Sequence, residues 1–240
     1  MATKRIECQG VVLASTAYGE SDKIIRLYTE QAGKLSVLVK GAKSRRSATV
    51  ALSEPFTFGR YRLSLGKSFY YLNSGKILQA NMGLRNNYDN MVYASALVEI
   101  VDKSSMEGQG TARIFSLVRK ALHELALSGA PLPVFLGFLI KYLSFMGYRP
   151  MLPESGEGHY VFLADSGVVE AEDSAGGEVL DGRDIYTLRH LLYTSLDKIN
   201  LENVDPNTLE KIYRLLKVYT VVNLQLDNIQ SLQLDRKSVV

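Results

Sequence analysis

The hydrophobic period of the chain changes once, near Gly83, and this change limits the fold more than any other feature. Before it, apolar and polar residues alternate over short runs. Tyr61, Leu63 and Leu65 alternate with Arg60, Arg62 and Ser64, the spacing of a strand with one buried face. Residues 6–14, 24–29, 35–39, 56–65 and 68–78 read as five strands, with turn signals at Tyr18-Gly19-Glu20, Gly33-Lys34 and Gly66-Lys67. Five short strands in succession predict a small barrel or sandwich. Beyond Gly83 the apolar residues recur at helical spacing. Leu84, Tyr88, Met91, Val92, Ser95, Leu97, Val98 and Val101 make one stripe, and Ile114, Leu117, Val118, Ala121, Leu122 and Leu125 make another. A third helix is expected over 134–146. Asp205-Pro206 reads as an N-cap and first-turn proline, with Leu209, Ile212, Tyr213, Leu216, Tyr219 and Val222 behind it. The Gly- and acid-rich stretch 150–181 has room for a short strand pair around Tyr160-Val161-Phe162 and Val168-Val169.

Charge divides the chain at the same place. Residues 1–80 hold thirteen Lys/Arg against five Asp/Glu, a net of +8. Residues 81–240 hold fifteen against twenty, a net of −5. Such asymmetry points to one half that meets a polyanion and another that does something else. The basic half has a focus in Lys40-Gly41-Ala42-Lys43-Ser44-Arg45-Arg46-Ser47, and no acid lies between Glu30 and Glu54. Cations spaced by small residues suit a phosphate backbone, because the main chain can approach closely.

Other classes find little support. Cys8 is the only cysteine, so no intramolecular disulfide and no thiolate zinc cluster can form, which favours a reducing cytosol. Val11 to Ala14 is too short for a signal-peptide core. The apolar stretch 131–147 is shorter than about 20 residues, and Lys141 interrupts it at a cost of about 2.5–3.5 kcal/mol in a bilayer. It reads as a buried helix. His123, His159 and His190 have no metal-ligand spacing, and neither H-E-x-x-H nor G-x-S-x-G occurs. Gly66-Lys67-Ser68 imitates the end of a P-loop, but Tyr61 stands where the pattern needs glycine, so a hairpin turn is expected. Glu170, Glu172, Asp173, Glu178, Asp181 and Asp184 lack EF-hand spacing and read as a solvated loop. No enzyme activity, metal or cofactor is expected.

What remains is basic residues interleaved with aromatics on the β half. Lys34, Lys40, Lys43, Arg45, Arg46, Arg60, Arg62 and Lys67 are the candidate nucleic-acid cations. Rings in strands either fill a barrel core or offer platforms on which bases stack, each worth about 1–3 kcal/mol. Alternation puts Tyr61 inside, which leaves Phe58, Phe69 and Tyr71 as the candidate stacking rings.

In order along the chain, several pieces resemble the bacterial recombination mediator family RecO. These are Gly10-Val11-Val12-Leu13, Tyr18-Gly19-Glu20-Ser21-Asp22-Lys23-Ile24-Ile25, Thr29-Glu30 with Gly33-Lys34, the basic loop, and Leu52 to Phe56 with Pro55. Phe138-Leu139-Ile140-Lys141-Tyr142-Leu143 leading to Gly147-Tyr148-Arg149-Pro150, and Gln230-Ser231-Leu232, continue the match. The resemblance implies an α+β protein. Residues 1–80 would be an OB-fold β-barrel that binds nucleic acid. Residues 81–240 would be a mostly α-helical domain with an insert at about 150–182. It implies binding of single- and double-stranded DNA and annealing of strands coated by single-strand-binding protein (SSB). It further implies help to RecR in loading RecA, and a cytoplasmic place on the bacterial nucleoid. Many relatives carry a four-cysteine zinc site after the Gly-Tyr-x-Pro exit, and here residues 151–158 contain no cysteine. SSB tails are acidic and apolar. A receptor for one needs cations beside an apolar groove, for which Arg113, Arg119, Lys120 and Lys141 are the candidates. Two other readings stay open: an OB-fold RNA-binding factor, and a protein-binding adaptor without nucleic-acid activity.

Overall fold

A computed structural model describes residues 5–43, 49–171 and 176–234 of the chain. Arg45, Arg46, Glu172, Asp173 and the C-terminal tail therefore lie outside the described residues. Strands β1 (Arg5–Tyr18), β2 (Asp22–Thr29), β3 (Gly33–Val39), β4 (Phe58–Leu65) and β5 (Tyr70–Gln79) close into a barrel of order β1-β2-β3-β5-β4. All pairings are antiparallel except β3 with β5, which is parallel at Val37↔Tyr70 and Leu38↔Tyr71. This is the OB-fold expected for the first half. The short helix α1 (Thr49–Leu52) lies between β3 and β4.

The barrel interior is filled by Cys8, Val12, Ile25, Leu27, Leu35, Val37, Val39, Tyr61 and Leu63. Tyr61 is fully buried, as alternation requires, and donates its hydroxyl to the Leu52 carbonyl at 3.2 Å. The run Val11-Val12-Leu13 is apolar on consecutive residues because β1 is covered on both faces. Val12 points into the barrel, whereas Val11 and Leu13 join Tyr28, Phe56 and Phe58 in the core of the helical half.

Helices α2 (Tyr88–Ser104), α3 (Ala112–Leu127), α4 (Pro131–Phe145), α5 (Gly182–Tyr193) and α6 (Pro206–Asn223) make up that half. Their starts are written in the sequence. Asn87, Thr111, Asp181 and Asp205 are N-caps whose side chains accept backbone N–H bonds, and Pro131 and Pro206 occupy the first turns. Helix α4 is buried almost all round and forms the centre, with Phe135 stacked on Tyr93 at 4.9 Å between centroids. Among the described residues no helix is long and apolar enough to cross a membrane.

The stretch after α4 holds more than a strand pair. Strands β6 (Tyr160–Leu163), β7 (Gly167–Glu170) and β8 (Glu178–Leu180) form a sheet of order β7-β6-β8. Asp184 also departs from the solvated-loop reading. It is buried, closes a capping box with Asp181, and pairs with Lys211 at 2.5 Å. A polar group at a helix start is stabilised by those N–H donors.

The two halves meet along β3 and the 105–111 connection. Lys34 N–H donates to the Gln109 carbonyl and Gly108 N–H to the Lys34 carbonyl. Gly33 has φ +62°, and a Cβ there would lie 2.0 Å from the Gln109 oxygen. Only glycine permits both the left-handed turn and this approach.

Candidate nucleic-acid interface

Three separate turns converge at one end of the barrel. The β1–β2 turn and the 40–43 loop are tied by hydrogen bonds, and the β4–β5 hairpin meets them through the Tyr18–Phe69 and Lys40–Tyr71 ring contacts. Asp22 accepts from Gly41 N–H at 2.8 Å, and Lys43 N–H donates to the Ser21 carbonyl at 2.9 Å. The Lys43 ammonium donates to the Gly19 carbonyl at 2.6 Å. Gly66 N–H donates to the Phe69 carbonyl at 2.9 Å, which closes the β4–β5 turn as a hairpin and not as a P-loop. The parallel β3–β5 pairing then puts Lys40 beside Tyr71, its Nζ 5.7 Å from the ring centroid.

This end carries Lys40, Lys43 and Lys67, all exposed. It also carries Phe69 and Tyr71, both partly exposed, and Tyr18, whose ring meets Phe69 edge-on at 6.4 Å. Tyr18 is 49% exposed, and the sequence gives no sign of its role, because a lone tyrosine before a glycine carries no periodic signal. Rings and cations on one surface are the two parts that a single-strand platform needs.

A second set of cations lies along the outer wall of β1, β4 and β5. Arg60 and Arg62 project outward on alternate positions, and Lys76 stands opposite Arg60 across the β4–β5 ladder. Lys76 has no such signal in sequence either, since its register with Arg60 exists only in the ladder. Glu7 partly neutralises this wall, at 2.9 Å from Arg62 Nε and 3.8 Å from Arg60 Nε. Arg62 is three residues from the β4–β5 turn, so the wall begins about 10 Å from the turn cluster.

Two sequence candidates sit elsewhere. Phe58 is not a stacking platform. It is buried, with its ring 6.0 Å from Phe115 and under the Arg119 guanidinium at 5.4 Å. Alternation does turn it out of the barrel, but that outer face is the one α3 covers. Lys34 is turned onto the helical half, where its ammonium donates to the Asp102 carbonyl at 2.5 Å and lies 3.7 Å from the carboxylate.

The four cations of the helical half have separate surroundings. Arg113 is exposed, and Arg119 covers Phe58. Lys120 pairs with Asp197 at 2.5 Å and donates to Ser195 at 2.8 Å. That pairing holds the exposed Asp197 carboxyl well below the usual carboxylate range. Lys141 donates to the carbonyls of Leu191 and Leu192 at the end of α5. Burial pulls its pKa down to about 8, and the nearby Lys120 adds to the effect.

The zinc site that the resemblance implies does not fit this chain. The residues after the α4 exit supply no thiolate, and Cys8 lies inside the barrel. The sheet that follows this exit is held by apolar packing. Phe162, Val168 and Leu180 from the three-stranded sheet enter the main core, and Phe162 meets Tyr219 edge-on at 5.3 Å.

Comparison with known proteins gives this geometry its context. The family model described as Recombination protein O N terminal matches residues 1–81, and that described as Recombination protein O C terminal matches residues 85–233. The chain belongs to the RecO family. Membership implies work in DNA repair and recombination. Three relatives, each named DNA repair protein RecO, are similar to it over different spans. The Alkaliphilus metalliredigens protein is 27% identical over 243 residues, covering 97% of this chain and 99% of the relative. The Bacillus pumilus protein is 28% identical over 224 residues, covering 89% and 87%. The Acetivibrio thermocellus protein is 31% identical over 146 residues, covering 60% and 58%. The RecO match thus spans both the barrel with its basic end and the helical half.

Proposed function

We propose that this protein is a recombination mediator that binds single- and double-stranded DNA through the barrel. In this reading it anneals complementary strands coated by SSB and helps RecR to load RecA, as a binding protein and not a catalyst, at the nucleoid. The observation that carries the reading is the convergence of Lys40, Lys43 and Lys67 with Tyr18, Phe69 and Tyr71 from three turns of the barrel. Cations would neutralise phosphates while rings take up unstacked bases. The Arg60–Arg62–Lys76 wall would extend the phosphate track, and Arg45 and Arg46 follow Lys43 directly in the chain.

For the acidic SSB tail, Arg113 and Arg119 carry the reading, since Lys120 and Lys141 already hold internal partners. The decisive experiment is strand annealing with and without the cognate SSB. Annealing of naked and SSB-coated strands is the expected result. Equal or greater affinity for RNA of the same length, with no annealing, would turn the reading toward an RNA-binding factor. Indifference to both nucleic acids would leave a protein-binding adaptor.

A further inference from the structure

Helix α4 ends in a defined way. Gly147 has φ +95°. Its N–H donates to the Ser144 carbonyl at 3.3 Å, and Tyr148 N–H donates to the Leu143 carbonyl at 2.8 Å. Together these bonds form the Schellman stop of a helix with glycine just past its cap. The stop, with buried Pro150 on its far side, sets where Arg149 emerges.

Arg149 emerges against Tyr193, the last residue of α5. Its guanidinium lies 5.2 Å from the Tyr193 ring centroid, and Nη2 donates to the Tyr193 hydroxyl at 2.5 Å. Arg189, one turn earlier on α5, places its guanidinium 5.3 Å from the same ring and donates to the Pro153 carbonyl at 2.7 Å. Two cations therefore share one ring, which is itself 58% exposed. Among the described residues no carboxylate pairs with either guanidinium, and Glu154, the nearest acid in sequence, makes no ion pair with them. Lys141, bonded to the carbonyls of the two residues before Tyr193, adds a third positive charge close by.

Guanidinium groups fixed on a ring keep further N–H donors at their edges, in the fork that suits a phosphate. Apolar surface accompanies them. Phe145, Tyr148 and Met151, on the same α4 exit, are 45%, 38% and 84% exposed. Unpaired cations beside exposed rings match a strand whose phosphates and bases are both accessible. An acidic peptide tail would instead need an apolar cleft, whereas Tyr193 and Met151 are mostly exposed and line none of the main cavities among the described residues.

We infer that Arg149, Arg189 and Tyr193 form a second phosphate-binding station for single-stranded nucleic acid, on the helical half. The inference rests on the nucleic-acid reading of the barrel and extends the strand beyond it.

The test is binding of a fluorescent oligothymidylate as a function of salt. Arg149→Gln/Arg189→Gln should flatten the slope of log affinity against log salt by about 1.4, at roughly 0.7 per phosphate on a single strand. Arg149→Lys/Arg189→Lys should keep most of the slope. An unchanged slope in a folded glutamine variant overturns the inference, and if Lys43→Ala/Arg45→Ala/Arg46→Ala still weakens binding, the barrel reading survives alone. Should the glutamine variant fail to fold, photo-crosslinking of the wild-type protein to a 5-iododeoxyuridine oligonucleotide decides. Adducts on Tyr148 or Tyr193 support the station, and adducts confined to the barrel overturn it. Loss of acidic-peptide binding with an intact DNA slope also overturns it, in favour of a peptide receptor. No binding by the wild-type protein removes both readings.

Discussion

The Arg26 guanidinium lies 2.6 Å from the Asp102 carboxylate, and this contact joins β2 of the barrel to the last turn of α2. Asp102 also holds Lys34, so one carboxylate serves two barrel cations. Asp102→Asn keeps the shape and removes the charge. It is expected to destabilise the protein by about 1–3 kcal/mol, below the cost of breaking a fully buried pair because Arg26 is partly exposed. Chemical denaturation should show a lower midpoint with an unchanged slope.

The basic loop supplies a separate prediction. Lys43→Ala/Arg45→Ala/Arg46→Ala should weaken binding to single-stranded DNA whatever its sequence. The salt slope should fall by about 2, from three phosphate contacts at roughly 0.7 each. Lys43 also fastens its loop to Gly19, so Lys43→Arg provides the control that keeps the charge. A slope that did not move would remove the loop from the interface.

Lys141 predicts a pH dependence. Its pKa is about 8 in the folded protein against the ordinary 10.5. Below pH 8 the group is protonated in both the folded and the unfolded state. Between about 8 and 10.5 the unfolded chain holds the proton and the folded one does not, so this group makes stability rise with pH. Buried tyrosines and Cys8 ionise less readily when folded, which lowers stability toward higher pH. The measurement is therefore a difference. Stability of the wild type minus that of Lys141→Met should increase from pH 8 to pH 10. A flat difference would mean that the α5 carbonyls keep the ammonium charged.

The sheet after α4 predicts independence from zinc. Phe162→Ala should cost about 3–5 kcal/mol, because it opens a cavity against Tyr219. A chelator should leave the melting temperature of the wild type unchanged, and metal analysis should find far less than one zinc per chain. Stoichiometric, tightly held zinc would show that other donors had replaced the cysteines.

Much of the fold was legible because alternation and capping are local signals. The five strands fall close to their expected places, and Asp205-Pro206 does open a helix. Sequence says least where a partner from distant sequence decides a side chain's surroundings. Phe58 does lie outside the barrel, but nothing near it in sequence shows that Phe115 covers that face. Lys34 looks like its neighbours Lys40 and Lys43 until Asp102 is brought beside it. Lys141 interrupts an apolar run to meet main-chain carbonyls, which have no sequence signature. Strand β8 is only three residues long, too short for a period to register. Of the proposed interface, Lys40, Lys43, Lys67, Arg60, Arg62 and two of the rings are readable in sequence, whereas Lys76 requires the β4–β5 ladder and Tyr18 its contact with Phe69.

Strand β1 carries a consequence for any attempt to divide the molecule. Because Val11 and Leu13 serve one core and Val12 the other, melting either core exposes a face of the same strand. The two halves should then unfold in one cooperative step, with coincident transitions by fluorescence and circular dichroism. A fragment cut at the end of β5 would bring Val11, Leu13, Phe56 and Phe58 to water together, a contiguous greasy strip that invites self-association. Loss of solubility in such a fragment would therefore report the missing helices and say nothing about DNA.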